Sequence, residues 1–280
     1  MAPFNKGILQ MLYKYIGNHD SEETIKCLKH FLEDGTIKAS DPFSFNDPSE
    51  LKIDLGLDTT REIAKKRYRK DKPKESNFDQ WFSGLKQARW HIINATREQM
   101  MSKYGIVCLT PNPDNFLMWS HYSASHTGFC IGFDDDFVRT IGDVALAGSV
   151  QYRENVPLFN FFTDPKEEFA HKIFFTKHNC WSYENEYRVI CDPQGIKKFD
   201  KSFIREVILG SHVSYELEHY ARSFLNTGIK IYKMISPYNT YSVVKKRNYR
   251  RIVFLNSIWR LFVVHFINLL PYIINYCHII

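Results

Sequence analysis

The stretch WSYENEYRVIC, residues 181–191, places a charged segment directly before a run of apolar residues. That run predicts a β-strand over residues 186–191. Further strands are predicted on both sides of it, with amphipathic helices between them. The predicted strands are 12–15, 36–39, 106–110, 128–133, 150–152, 207–209 and 229–234, and the predicted helices are 21–34, 78–103, 115–123, 164–174 and 214–225.

This order of elements does not repeat as regular βαβ units. Neither GxGxxG nor GxxxxGK[ST] occurs in the sequence, which argues against a doubly wound nucleotide fold and against a P-loop enzyme. We therefore expect one α+β domain over residues 1–244, with a mixed sheet that is strongly bent or split and has flanking helices.

Two helix ends carry clear sequence signals. Asp20 with Glu23 three residues later forms a capping-box pattern, and Gly35 supplies a left-handed stop. Asp164 followed by Pro165 predicts an N-cap and a first helical residue.

The composition is that of an ordinary globular protein with many aromatic residues. The chain has 280 residues, 22 Phe and 16 Tyr, so we expect a core built around rings. The formal net charge of +6 permits an anionic partner without requiring one. Six cysteines without CxxC spacing favour free thiols in the cytoplasm over a disulfide framework or a zinc site, and we expect no metal.

Residues 245–280 differ from the rest of the chain. A basic segment, predicted to be a linker, precedes an apolar stretch over residues 252–280. The uncharged run 261–280 is just long enough to span a bilayer. Arg260 and several polar residues make the whole stretch less apolar. We expect a packed or disordered tail, and a membrane tether is the alternative.

Three polar segments are candidates for a functional site. In the first, Asn46 and Asp47 stand before Pro48, a pattern that also caps turns. In the second, Trp119, His121 and Tyr122 lie at helical spacing and could line a pocket for a flat polar ligand. A histidine in such a segment is equally explained as a structural residue.

The third segment contains Lys177, Trp181 and the charged residues Glu184, Glu186 and Arg188. If residues 184–188 form a strand, the three charged side chains share one face, because strand side chains alternate. Buried charges of this kind must be paired. One interpretation is an ion pair at a sheet edge. The other is a site where one glutamate accepts a proton or stabilises positive charge while Arg188 orients the second.

These segments together resemble domain-of-unknown-function family 2971, a bacterial cytoplasmic family. The resemblance rests on residues 13–15, 45–48, 118–122, 128–133 and 177–188 and extends over about residues 11–235. That family in turn resembles ADP-ribosyltransferase-like proteins of the DarT type. The second resemblance implies an enzyme that uses NAD as a substrate to modify a macromolecule, as toxins and phage-defence effectors do.

The resemblance also implies roles for individual residues. Glu186 would be the catalytic glutamate, with Glu184 as the other candidate and Arg188 beside them. Tyr13 and Tyr15 would lie along the cofactor, while His121 and Tyr122 would form the middle element. Tyr13-Lys14-Tyr15 departs from the histidine or arginine of better-known members.

Two other functions stay open at this point. A non-catalytic sensor could bind a nucleotide or a protein in the same cleft. A metal-dependent nuclease could use Asp47, Glu50, His121 and the glutamates as ligands, although they lack compact metal-ligand spacing.

Overall fold

The computed structural model describes residues 11–71 and 77–247, which form a mixed α+β fold. Within these residues the α-helices are α1 (Ser21–Lys29), α2 (Arg61–Asp71), α3 (Phe78–Lys103), α4 (Phe116–Tyr122), α5 (Lys166–Phe174) and α6 (Tyr215–Arg222). A π-helical turn, His30–Asp34, continues α1, and short 3-10 helices include Pro42–Ser44 and Asn179–Glu184.

The strands are β1 (Leu12–Ile16), β2 (Thr36–Ala39), β3 (Asp54–Gly56), β4 (Gly105–Leu109), β5 (Phe129–Phe133), β6 (Val144–Ser149), β7 (Gln151–Arg153), β8 (Leu158–Asn160), β9 (Thr176–His178), β10 (Tyr187–Cys191), β11 (Gly195–Lys198), β12 (Ile204–Leu209), β13 (Lys230–Ile235) and β14 (Val244–Arg247).

The larger sheet has the order β1-β5-β12-β13-β14 among the described strands. It is mixed, because β12 and β13 are parallel whereas the other neighbours are antiparallel. Strand β1 pairs with β5 with Tyr13 opposite Gly132. A Cβ atom at Gly132 would lie 2.7 Å from Cε1 of Tyr13, so glycine leaves the space that the tyrosine ring needs.

A second sheet has the order β4-β10-β6 and is antiparallel. The two sheets meet where β1 runs beside the end of β4. There the Tyr13 N–H donates to the Thr110 carbonyl at 2.7 Å, and the Thr110 N–H donates back to Tyr13 at 2.9 Å. This bridge joins the edges of two sheets. The helices and sheets together confirm the predicted mixed α+β fold.

The main core lies between the larger sheet and helices α1 and α6, and aromatic rings fill much of it. Phe133 stacks on Phe137 with ring centroids 4.1 Å apart, while Phe31 and Phe199 pack against Phe133 at an angle. Such edge and offset contacts add stability beyond the burial of apolar area. A second apolar cluster packs β4 and β10 against α3 and α5.

Most predicted elements are present, and the differences are local. Helix α3 has the predicted bounds, and its N-cap Asn77 accepts a hydrogen bond from the Asp79 N–H at 2.9 Å. Gly35 ends the first helix in the left-handed conformation, with φ of 64°. The predicted cap at Asp164 is wrong, because Pro165 takes the N-cap position while Asp164 binds Lys172 at 2.5 Å.

The cysteines of the described segments are free thiols. Cys130 and Cys191 are buried, whereas Cys180 is exposed.

Residues 11–71 and 77–247 belong to one compact unit. Lys245, Lys246 and Arg247, which the sequence places in a linker, form most of the edge strand β14. The predicted hydrophobic tail and its membrane tether lie outside the described residues. Within the residues that are described, none of the helices combines the length and the apolar character needed to cross a bilayer.

Candidate functional site

A cavity of about 250 Å³ opens where the two sheets meet. Its wall comes from β1, the end of β4, the loop around residues 44–50, helix α4 and the segment from β9 to β10. The lining side chains that carry charge, a ring or a thiol are Tyr13, Lys14, Tyr15, Phe45, Asp47, Glu50, Cys108, Tyr122, Lys177, Trp181, Glu184 and Glu186. Segments that are far apart in the sequence therefore contribute to one site.

Lys177 lies among three carboxylates at this cavity. Its Nζ atom is 2.6 Å from Glu184 Oε2, 3.1 Å from Glu50 Oε1 and 3.5 Å from Glu186 Oε2. The same ammonium lies 4.9 Å from the centroid of the Trp181 ring, within range of a cation–π contact. Lys177 thus links the glutamates to the aromatic part of the wall.

Arg188 pairs with two of these glutamates and does not line the cavity. Its Nη2 atom donates to both oxygens of Glu50 at 2.9 Å, and Nε and Nη2 donate to the two oxygens of Glu186 at 3.0 and 2.9 Å. Its Nη1 atom donates to the Phe174 carbonyl at 2.9 Å. Arg188 is fully buried, so these bonds replace the water it loses.

We call Glu50, Lys177, Glu184, Glu186 and Arg188 the buried charge cluster. Each of them exposes at most 9% of its surface. When all five are ionised, three negative charges face two positive ones, so the cluster carries one net negative charge. That excess acts in surroundings where charge interactions are much stronger than in water.

The two neighbouring glutamates have opposite pKa shifts. Burial by itself would raise the pKa of Glu186, but the charges of Arg188 and Lys177 outweigh burial and hold this pKa at about 2. Burial raises the pKa of Glu184, and the charge of Glu186 adds to this increase against the lowering effect of Lys177. Glu186 is therefore held as a carboxylate, whereas Glu184 takes up a proton more readily.

The backbone around Glu184 differs from the predicted strand. Glu184 ends the 3-10 helix Asn179–Glu184, and Asn185 follows in the left-handed conformation with φ of 44°. Thr110 Oγ1 holds this turn by donating to the Glu184 carbonyl at 2.6 Å. The left-handed residue, rather than strand alternation, brings Glu184 and Glu186 to the same cavity. Strand β10 is also the central strand of its sheet, so the ion pair of Glu186 and Arg188 is not at a sheet edge.

Tyr122 and Tyr152 each form a hydrogen bond with one of the two glutamates. The Tyr122 hydroxyl donates to Glu184 Oε1, and burial together with the charge of Glu184 raises the pKa of Tyr122. The Tyr152 hydroxyl accepts a hydrogen bond from the Glu186 N–H at 2.8 Å. Glu184 thus has a hydroxyl on one oxygen and an ammonium on the other.

The tyrosines of β1 line the cavity, but their hydroxyl groups have partners elsewhere. The Tyr13 hydroxyl donates to Glu206 at 3.0 Å, and the Tyr15 hydroxyl donates to the Asn112 carbonyl at 2.8 Å. The Tyr15 ring packs edge-on against Trp119, with centroids 5.1 Å apart. Both residues therefore contribute ring surface to the cavity.

The loop before β3 supplies Asn46, Asp47 and Glu50 to the lining. Asp47 accepts hydrogen bonds from the Ser49 N–H at 2.8 Å and from the Ser49 hydroxyl at 2.6 Å, which shapes the turn that carries Glu50 inward. This segment therefore caps a turn and also lines the cavity.

Two predicted cofactor-binding residues do not line the cavity. Trp119 of α4 is fully buried and donates from Nε1 to the Pro113 carbonyl at 2.9 Å. It therefore packs against the Tyr15 ring and not against the cavity. His121 is exposed and lies 3.0 Å from the Tyr183 hydroxyl through Nδ1.

Sequence reasoning missed Lys14, Cys108 and the role of Glu50 as the second partner of Arg188. The only sequence signals were a lysine between two tyrosines and an acidic residue at the end of the 45–50 segment. In residues 11–71 and 77–247, no group of three or more His, Cys, Asp or Glu side chains is arranged to hold a metal ion.

The fold and the cavity define an α+β protein with a buried, charged site between two sheets. Residues 118–189 match the model of a family described as protein of unknown function, DUF2971. The matched interval contains Tyr122, Lys177, Glu184, Glu186 and Arg188, whereas β1 and the loop with Glu50 lie outside it. No curated protein and no solved structure matches the chain.

Proposed function

We propose that this chain is an ADP-ribosyltransferase-type enzyme that uses NAD and modifies a macromolecular acceptor at the cavity. The observation that supports this proposal is the excess negative charge of the buried charge cluster. When the bond between the ribose C1′ atom and nicotinamide breaks, positive charge develops on the ribose. A fixed carboxylate in a site of low dielectric constant stabilises such charge because it does not have to reorient.

Glu184 suits the catalytic role better than Glu186. Both oxygens of Glu186 are bound by Arg188, and its pKa of about 2 makes it a poor base. Glu184 lines the cavity, and its raised pKa lets it accept a proton. The sequence-based preference for Glu186 therefore becomes a preference for Glu184, while Arg188 holds Glu186 and Glu186 lies beside Lys177.

The proposed transfer balances without a further reagent. The C1′–N bond breaks and its electron pair leaves with neutral nicotinamide. An oxygen or nitrogen atom of the acceptor forms the new bond to C1′, and Glu184 takes the proton that this atom loses. The rings of Trp181, Tyr13 and Tyr15 offer flat apolar surface to the nicotinamide side of the ligand.

The test is nicotinamide release from NAD by the full chain, with cell extract or nucleic acid as acceptor. We expect Glu184→Gln to lower the rate about 100-fold or more while the protein stays folded. The matched control is Glu154→Gln on the surface, which should keep the wild-type rate. If the folded wild-type protein releases no nicotinamide with any acceptor, the proposal is overturned.

A non-catalytic nucleotide-binding module is the second candidate, and one observation favours it. Every carboxylate of the buried charge cluster already has a cationic partner within 3.1 Å, as in a purely structural network. This alternative predicts that the full chain binds NAD without consuming it and that Glu184→Gln changes affinity only. The nuclease interpretation has no comparable support, because His121 does not join Asp47 and Glu50 at the cavity.

A further inference from the structure

Lys14 is an exception among the lysines that are removed from solvent. The other buried or half-buried lysines of the described chain each lie within 4.0 Å of a carboxylate oxygen, and they are Lys172, Lys177, Lys197 and Lys233. Lys14 is half-buried and has no carboxylate within that distance among the described residues. Its ammonium therefore lacks the compensation that the fold gives to the others.

The bond that Lys14 does make is a weak one. Its Nζ atom donates to the Cys108 carbonyl at 3.4 Å, which is longer than a normal N–H···O bond. An ammonium group has three donors, and this weak bond is the one that Lys14 Nζ makes among the described residues, although Lys14 lines the cavity. Burial lowers the pKa of Lys14, although the charge of Glu186 acts in the opposite direction. An anion beside this group would satisfy its donors and stabilise its charge.

The cavity is consequently lined by groups of both negative and positive charge. Glu184 and Glu186 belong to the buried charge cluster with its net negative charge, whereas Lys14 lines the same cavity from β1 without a carboxylate partner among the described residues. A ligand that matches both needs a positive part beside the glutamates and a negative group beside the lysine.

We infer that the cavity binds a zwitterionic ligand whose phosphate group is held by Lys14, with the cationic part beside Glu184. This inference deepens the proposed function and rests on it for the nicotinamide part of the ligand. The anion site at Lys14 itself rests only on the contacts of that lysine. In this arrangement Lys14 is a substrate-positioning residue for the phosphate nearest the nicotinamide ribose.

The experiment compares two ligands that differ by one phosphate, nicotinamide riboside and nicotinamide mononucleotide, by calorimetry on the full chain at fixed ionic strength. The wild type should bind the mononucleotide about 10- to 100-fold more tightly, as a hydrogen bond to a charged group implies. Lys14→Met should lose this preference without changing affinity for the riboside, and Lys14→Arg should keep it. Lys38→Met, which removes an exposed lysine of β2, is the matched control and should behave like wild type.

Inorganic pyrophosphate is the second probe and separates the two proposals. If pyrophosphate binds wild type and not Lys14→Met while the full chain releases no nicotinamide from NAD, the proposed function fails and the anion site stands. If wild type shows no phosphate preference, or if Lys14→Met keeps it, the assignment of Lys14 is overturned even where NAD is consumed. If all three probes fail to bind wild type, the anion site at Lys14 is overturned, and nicotinamide release from NAD decides the proposed function separately.

Discussion

Replacement of Arg188 by methionine should strongly destabilise the protein. The variant keeps an apolar side chain of similar length but leaves Glu50 and Glu186 with Lys177 as their remaining cation, at 3.1 and 3.5 Å. Removing one partner of a buried ion pair costs about 3–5 kcal/mol. The Phe174 carbonyl also loses the Nη1 donor, which adds about 1–3 kcal/mol. We expect a total loss of about 4–8 kcal/mol, a large part of the usual stability of a domain.

The pKa of Glu186 gives an independent check on this magnitude. A pKa lowered from 4.5 to about 2 corresponds to about 3 kcal/mol of stabilisation of the ionised form in the folded state. In wild type this stabilisation is present above pH 4.5 and is lost as the pH falls towards 2. Without Arg188, burial opposes the ionisation of Glu186 and Lys177 is the charge that still favours it, so we expect a higher pKa of Glu186 in the variant than in wild type.

The assay is urea denaturation of wild type and Arg188→Met at about pH 7 and about pH 4. The difference in unfolding free energy should be smaller at the lower pH, because Glu186 can then be protonated in the variant. Arg205→Met is the matched control, since the pair of Arg205 with Asp134 is partly exposed and should contribute less than about 1 kcal/mol. A loss below about 1 kcal/mol for Arg188→Met, or a difference that does not shrink on acidification, would refute the reasoning.

Three further predictions follow from other contacts. Trp119→Ala should lower the unfolding free energy by about 3–5 kcal/mol because this ring is fully buried. Trp90→Ala on the surface should change the unfolding free energy little, and equal losses in urea denaturation would contradict this prediction. Burial and the neighbouring His212 lower the pKa of His126, so wild-type stability should be highest above pH 6.5 and decline below it. His126→Gln should flatten that decline in thermal melts. If Glu184 acts as a carboxylate base, the rate of NAD cleavage should rise with pH across a pKa above 4.5. The same rise in Glu184→Gln would show that another group is the base.

The parts of the fold that were predicted correctly are determined by signals in the neighbouring sequence. Helix α3 follows from a long periodic pattern with a capping side chain, and β1 and β2 follow from short apolar runs beside Asp20 and Gly35. Strands such as β6 were missed because residues 144–149, VALAGS, are rich in alanine and glycine. Their place in a sheet is determined by pairing with β10 and not by their own sequence.

The candidate site was predicted in part because its residues cluster within short segments. Lys177, Trp181, Glu184 and Glu186 come from one segment and line the cavity together. The pairing of Arg188 with Glu50 joins residues 138 positions apart, and no local periodicity can indicate it. The left-handed Asn185 places Glu184 before the strand, so these side chains line one cavity through a turn and not through strand alternation.

The position of the buried charge cluster bears on whether it serves structure alone. A buried ion pair is weak support for stability, because desolvation offsets most of the attraction between its charges. In this cluster the cationic partners of the carboxylates differ. Both glutamates line the cavity, but Glu186 is bound by a fully buried arginine, whereas Glu184 pairs with Lys177 and has the raised pKa. A network needed only for packing gains nothing from a carboxylate with a raised pKa at a cavity wall, whereas a site that stabilises a cation requires a carboxylate there. Glu184 is therefore the residue at which the catalytic and the binding interpretations separate.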